Sequence, residues 1–116
     1  MIKRKNELRK TENPHFKGGE GSIGMTTILT LEELGPAGRV YCVTEIPSGS
    51  SIGEHEHNGD AEVLYVLDGE LDCIDNGKKD VLHPGDVMYT PSGSSHCVIN
   101  NSGKTAHVIA LVIYNV

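Results

Sequence analysis

The sequence predicts an all-β protein, a sandwich or barrel of short antiparallel strands. Three observations point there. Fourteen Gly and five Pro in 116 residues break the chain at short intervals. The segments between those breaks are short, apolar and rich in β-branched residues. No segment holds the 3.6-residue helical period over a useful length.

Taken in order, residues 1–24 read as irregular, punctuated by Gly18-Gly19-Glu20-Gly21. Met25 to Leu31 is β-branched and apolar, which predicts a strand. Leu31-Glu32-Glu33-Leu34 is either one helical turn or a loop before Gly35-Pro36. Arg39 to Ile46 is a strand ended by Pro47-Ser48-Gly49. Glu62 to Leu67 is another, ended by Asp68-Gly69. Glu70 to Ile74 runs into Asp75-Asn76-Gly77, a hairpin signal because Asn-Gly accepts positive φ at little cost. Lys79 to Leu82, Val87 to Thr90, His96 to Ile99 and Ala106 to Tyr114 complete the set. Turns every eight to twelve residues fit a sandwich or barrel.

At this length the chain is one domain with its own core. Charge is unevenly placed. The first ten residues carry Lys3, Arg4, Lys5, Arg9 and Lys10 against Glu7, a net of +4; the rest carries −10, for a total of −6. The basic head reads as a solvated arm, lying on its own acidic body or on a partner. The body lacks the basic patch of a nucleic-acid binder. No apolar stretch approaches the roughly 18 residues of a membrane span, and the N-terminus has no signal-peptide core. Cys42, Cys73 and Cys97 form no CxxC pair. Together these point to a reduced compartment, the cytoplasm, with no membrane contact.

The chemistry concentrates in two stretches. His55 and His57 stand two apart and share a strand face, with Glu56 on the other. Glu62 follows Asn58-Gly59-Asp60-Ala61, an interval able to bend it back beside them. His96 opens a later strand after Pro91-Ser92-Gly93. Three imidazoles and one carboxylate suit one divalent transition metal per chain, Mn, Fe, Ni or Zn, and disfavour Ca and Mg. Four protein ligands on an octahedral ion leave two positions open, as a catalytic metal requires.

These residues fall into two motifs that resemble the cupin pattern. Gly49, His55, His57, Glu62 and Gly69 match the first; Gly85, Pro91, Gly93, His96 and Asn100 match the second. Fifteen residues separate Gly69 from Gly85, the short spacing of minimal cupins. The resemblance implies a jelly-roll double-stranded β-helix with the metal near its mouth, made by residues 25–116. It also implies a homodimer, with residues 1–24 as an N-terminal arm able to cross to the partner.

Other residues weigh less. Cys42 and Thr44 share a face and are pocket candidates if that face is the inner one. His107, in the last strand, is a core or interface histidine or, on the sharper reading, a pocket acid or base. Glu56 and His83 read as solvent-facing, His15 as no ligand, and Cys97 as pointing away from His96. Within the resemblance, lyases of sulfonium compounds carry Tyr two residues after the Glu; here that residue is Leu64, which argues against that activity. The resemblance thus implies a metal-dependent enzyme of dioxygenase, isomerase or decarboxylase type, acting on a small carboxylate, carbonyl compound or sugar. The alternatives are a non-catalytic module that binds such a molecule through the metal, and a structural metalloprotein.

Overall fold

The structure is a computed structural model and describes residues 1–115. Ten strands form two antiparallel sheets. They are β1 (Lys10–Pro14), β2 (Ser22–Thr27), β3 (Gly38–Ile46), β4 (Ser51–Glu56), β5 (Asp60–Asp68), β6 (Leu71–Asp75), β7 (Lys78–Leu82), β8 (Val87–Thr90), β9 (Ser95–Ile99) and β10 (Ala106–Tyr114). The larger sheet runs β1-β2-β3-β10-β5-β8 and the smaller β4-β9-β6-β7. Beside short 3-10 turns, a single α-helical turn among the described residues, α1 (Leu31–Leu34), carries a reciprocal cap between Thr30 and Glu33.

The core lies between the sheets and follows from alternation. Ala106, Val108, Ala110 and Val112 of β10 point inward and are buried, as are Cys42, Thr44 and Ile46 of β3. Leu64 and Val66 of β5 meet Leu71, Cys73 and Val98 from the opposite sheet. All three cysteines are buried and free. At the Asn76-Gly77 hairpin both residues take positive φ, 48° and 87°, as the sequence predicts.

Three expectations need correction at the N-terminal side. Residues 1–24 are not an irregular arm: β1 pairs with β2, and β2 with β3, in the chain's own sheet. A boundary between 24 and 25 would therefore cut through β2. The strand expected over 25–31 lies at Ser22–Thr27 instead. The buried Ile23 draws the strand back past Met25, and Gly24 sits inside it. Its missing side chain leaves room for Lys10 and Glu45, whose ion pair of 2.6 Å lies across it. A second pair, Lys3 with Glu33, also ties the basic head to the acidic body. Solvent screens both pairs, so they orient the head more than they stabilise the fold.

Candidate metal centre

The HxH stretch is aimed by a bulge. On β4, Ile52 pairs with Val98 and His55 with His96, so Gly53 and Glu54 together oppose Cys97 alone. The extra residue lets Ile52 and His55, three apart, both face the interior. His57 follows the strand, held by its amide to the Ser94 carbonyl and by its own carbonyl to the Gly93 amide. Glu62 comes from β5 and His96 from β9. The two sheets therefore share the candidate ligands, and one donor atom from each of the four residues lies within 4.8 Å of the others.

The outer ring nitrogens show what the inner ones are for. His55 Nδ1 donates to the Gly53 carbonyl and His57 Nδ1 to the Asp60 carboxylate, each at 2.7 Å. Neither partner can donate, so each ring, when neutral, turns a bare Nε2 lone pair inward. His96 Nδ1 meets the Thr90 hydroxyl at 2.7 Å. Inside, His96 Nε2 lies 3.2 Å from His55 Nε2 and 3.3 Å from His57 Nε2. Glu62 Oε1 lies 3.1 Å and 2.9 Å from the Nε2 atoms of His57 and His96. Lone pairs converging at such distances repel unless a proton or a cation sits among them. Outer nitrogens pinned by carbonyl, carboxylate and hydroxyl are the usual support of metal-bound histidine. The residues present thus fit a divalent transition ion.

Electrostatics agree. Burial pushes the Glu62 carboxyl up, but hydrogen bonds and charge from His57 and His96 outweigh it and hold it at about 2. The Glu62 hydrogen bond, with help from Asp60, raises His57 against its burial. Burial lowers His55. Asp60 is pushed up by burial and pulled down further by Arg39 and His57.

Beside the donors lies a narrow cavity of about 40 Å³, walled by Met25, Val40, Ile52, Leu64, Ala110 and Val112. Thr44, Phe16, Lys17 and Arg39 also line it. Met25, Arg39 and Val40 in turn line a broader vestibule of about 520 Å³. Thr44 thus faces the metal cavity, while Cys42 lines the vestibule wall. The Cys42 thiol, raised by burial, stays protonated. His107 does not belong to the pocket. It alternates with inward Ala106 and Val108, so it projects outside, where Asp68 and Glu45 hold its ring at 2.8 Å and 3.4 Å. Glu56 and His83 are exposed. Asp60, Thr90, Lys17 and Arg39 escaped the sequence reading. Only Asp60 gives a signal there, standing two residues before Glu62 and so on the same face.

Comparison with known proteins agrees with this geometry. The Cupin domain family matches residues 42–114, a span that holds all four candidate ligands. The chain belongs to the cupin family. This cupin is 34% identical to the oxalate-binding protein of Thermotoga maritima over 113 residues, 97% of this chain and 93% of that protein. A Thermotoga maritima crystal structure, described as a predicted oxalate decarboxylase, matches with a TM-score of 0.94 at 33% identity, covering 99% of this chain and 100% of that one. The quercetin 2,3-dioxygenase of Bacillus subtilis is 32% identical over 69 residues, 60% of this cupin but 20% of that enzyme.

Proposed function

We propose that this cupin holds one divalent transition ion, Mn, Fe, Ni or Zn, on His55, His57, Glu62 and His96, and binds a small carboxylate at the positions they leave open. The observation that carries the reading is the convergence of four donors, three of them pinned imidazoles, on an otherwise mostly apolar cavity. An ion held there supplies Lewis acidity and room for one or two ligand oxygens. The chain supplies the selection. The cavity beside the donors is narrow and mostly apolar-walled, which suits the head of a small acid better than a bulky ligand. The similarity to a protein named for oxalate binding supports a carboxylate. A structural role for the metal is disfavoured by the open space beside it, since structural sites are closed.

The open positions and the water-excluding wall support a metal-dependent enzyme of decarboxylase, isomerase or dioxygenase type. The non-catalytic binding module has its own support. Among the described residues, no carboxyl or imidazole lines the cavity beyond the ligands themselves. The test starts from protein purified without a nickel column. Elemental analysis should find one transition ion per chain in the wild type and little in His55→Ala or His96→Ala, both with unchanged far-ultraviolet circular dichroism. Wild-type stoichiometry in both variants sinks the site. Turnover of oxalate or a related small acid by the loaded wild type selects the enzyme; a ligand-perturbed metal spectrum without turnover selects the binding module.

The same reading includes a homodimer, formed through the outer face of the larger sheet. Two apolar rows cross it: Val43, Ile109, Tyr65 and Val87, then Tyr41, Leu111, Val63 and Tyr89. Tyr65, Val87 and Tyr89 are 42%, 55% and 53% exposed, a run of apolar surface that marks an interaction site. Sedimentation should give twice the 12.5 kDa chain mass, and Tyr65→Glu with Val87→Glu should return it to the single chain. A wild type that sediments as one chain at micromolar concentration rejects the dimer.

A further inference from the structure

We infer that Arg39 and Lys17 form a second anion receptor beside the metal centre, so that the site selects short dicarboxylates over monocarboxylates. This rests on the carboxylate reading above and adds the residues that would read the far end of the ligand.

Arg39 reaches its place through an irregularity. Across β3 and β10, Val40 pairs with Val112 and Gly38 with Ile113, leaving Arg39 as an unpaired extra residue. Strict alternation would send it outward with Tyr41. Instead it lines both the metal cavity and the vestibule. Its Nε donates to Asp60 Oδ2 at 2.8 Å, and Asp60 Oδ1 accepts from His57 Nδ1 at 2.7 Å. Two hydrogen bonds therefore fix the guanidinium relative to a metal ligand. Its two Nη groups make no hydrogen bond or ion pair among the described residues, which leaves a planar pair of donors suited to a carboxylate.

Lys17 lines the cavity too, as an exposed residue on a strap laced to β4. The Glu20 carbonyl accepts from the Ser51 amide and the Glu20 amide donates to Ser51 Oγ. Lys17 sits in the left-handed region, φ 55° and ψ 31°, as does His15 before it. Such conformations in non-glycine residues collect at functional sites. The Lys17 ammonium has no acidic partner among the described residues and rests 5.6 Å from the centre of the Phe16 ring.

Charge fixes the class of ligand. A divalent ion with Glu62 would leave one positive charge, Arg39 cancels Asp60, and the exposed Lys17 at the cavity lining adds another. The loaded site would then present two positive charges to a ligand within a chain of net −6. A dianion matches it; a monoanion leaves one charge unmet.

The test is calorimetry on the Mn²⁺-loaded full chain with glycolate, oxalate and malonate. Glycolate chelates through two oxygens yet carries one charge, so it controls for chelation. Wild type should bind the diacids at least about 10-fold tighter than glycolate. Lys17→Gln and Arg39→Gln should each weaken diacid binding by about 10-fold, the scale of one charge-assisted hydrogen bond, and change glycolate by less than about 2-fold. Because Arg39→Gln also frees Asp60, its Mn²⁺ stoichiometry is measured alongside; Lys17→Gln touches no metal ligand and decides the matter alone if Arg39→Gln loses metal. Diacid and glycolate affinities that fall together, or a Lys17→Gln that changes neither, overturn the inference. A wild type that binds glycolate as tightly as the diacids overturns it while sparing the carboxylate reading. A loaded wild type that binds none of the three takes both down.

Discussion

At the scale of single residues, Asp60 does more than its place in a bend suggests. It fixes the tautomer of His57 on one side and anchors Arg39 on the other. An Asn there can satisfy His57 with its carbonyl oxygen, but its amide group then faces the Arg39 Nε–H, donor against donor. Asp60→Asn should therefore weaken metal binding by about 10- to 100-fold, read by competition with a chromophoric chelator. Affinity within 2-fold of wild type would mean that His57 needs no such support. The residue scale also shows where the sequence is readable. His55, His57, Glu62 and His96 stand out because spacing and residue type alone mark them. Arg39 and His107 mislead for opposite reasons. A bulge re-aims Arg39 inward against alternation, while His107 obeys alternation on a strand whose facing only the fold reveals.

At the scale of elements, the strap over 15–20 and strand β4 meet at Gly53. A Cβ added there would come within 2.1 Å of the Lys17 carbonyl oxygen, a backbone atom that no side-chain rotation moves away. The Gly53 carbonyl also holds His55. Gly53→Ala should cost about 1–3 kcal/mol in urea unfolding and loosen both the strap and the metal. Gly103→Ala, with open space around it, is the control and should stay within about 0.5 kcal/mol. Equal midpoints for the two variants would show that the strap yields without cost. Apart from β4, whose Ser51–Glu56 run is too polar to stand out, the strands of the barrel proper were legible from apolar runs between turn residues, β10 to its last residue. β1 was not. It is a polar strip, Lys10–Pro14, at the edge of its sheet with alternate residues exposed, and an edge strand needs little apolar character.

At the scale of the whole molecule, the core does not depend on the metal. Ile46, Val66, Leu71, Val98 and Val108 are buried between the sheets and should keep the metal-free chain folded. Binding then adds stability by mass action, about 4 kcal/mol when free ion is 1,000 times its dissociation constant. Scanning calorimetry should show a melting temperature that climbs with Mn²⁺ concentration in the wild type and stays flat in His96→Ala. A wild-type melting temperature indifferent to the ion would place its binding elsewhere or nowhere.

His55 and His96 belong to one sheet and Glu62 to the other, so an ion there would clasp the two sheets at one rim of the barrel. The far rim, where residues 66–68 run beside 106–108, shows no such group among the described residues and relies on packing. Stripping the ion should let only the near rim breathe. Amide exchange would quicken at 55–62, at 90–96 and along the strap, and keep its pace at 66–68 and 106–108. The ion would then act as a local fastener, felt at one rim and not across the fold.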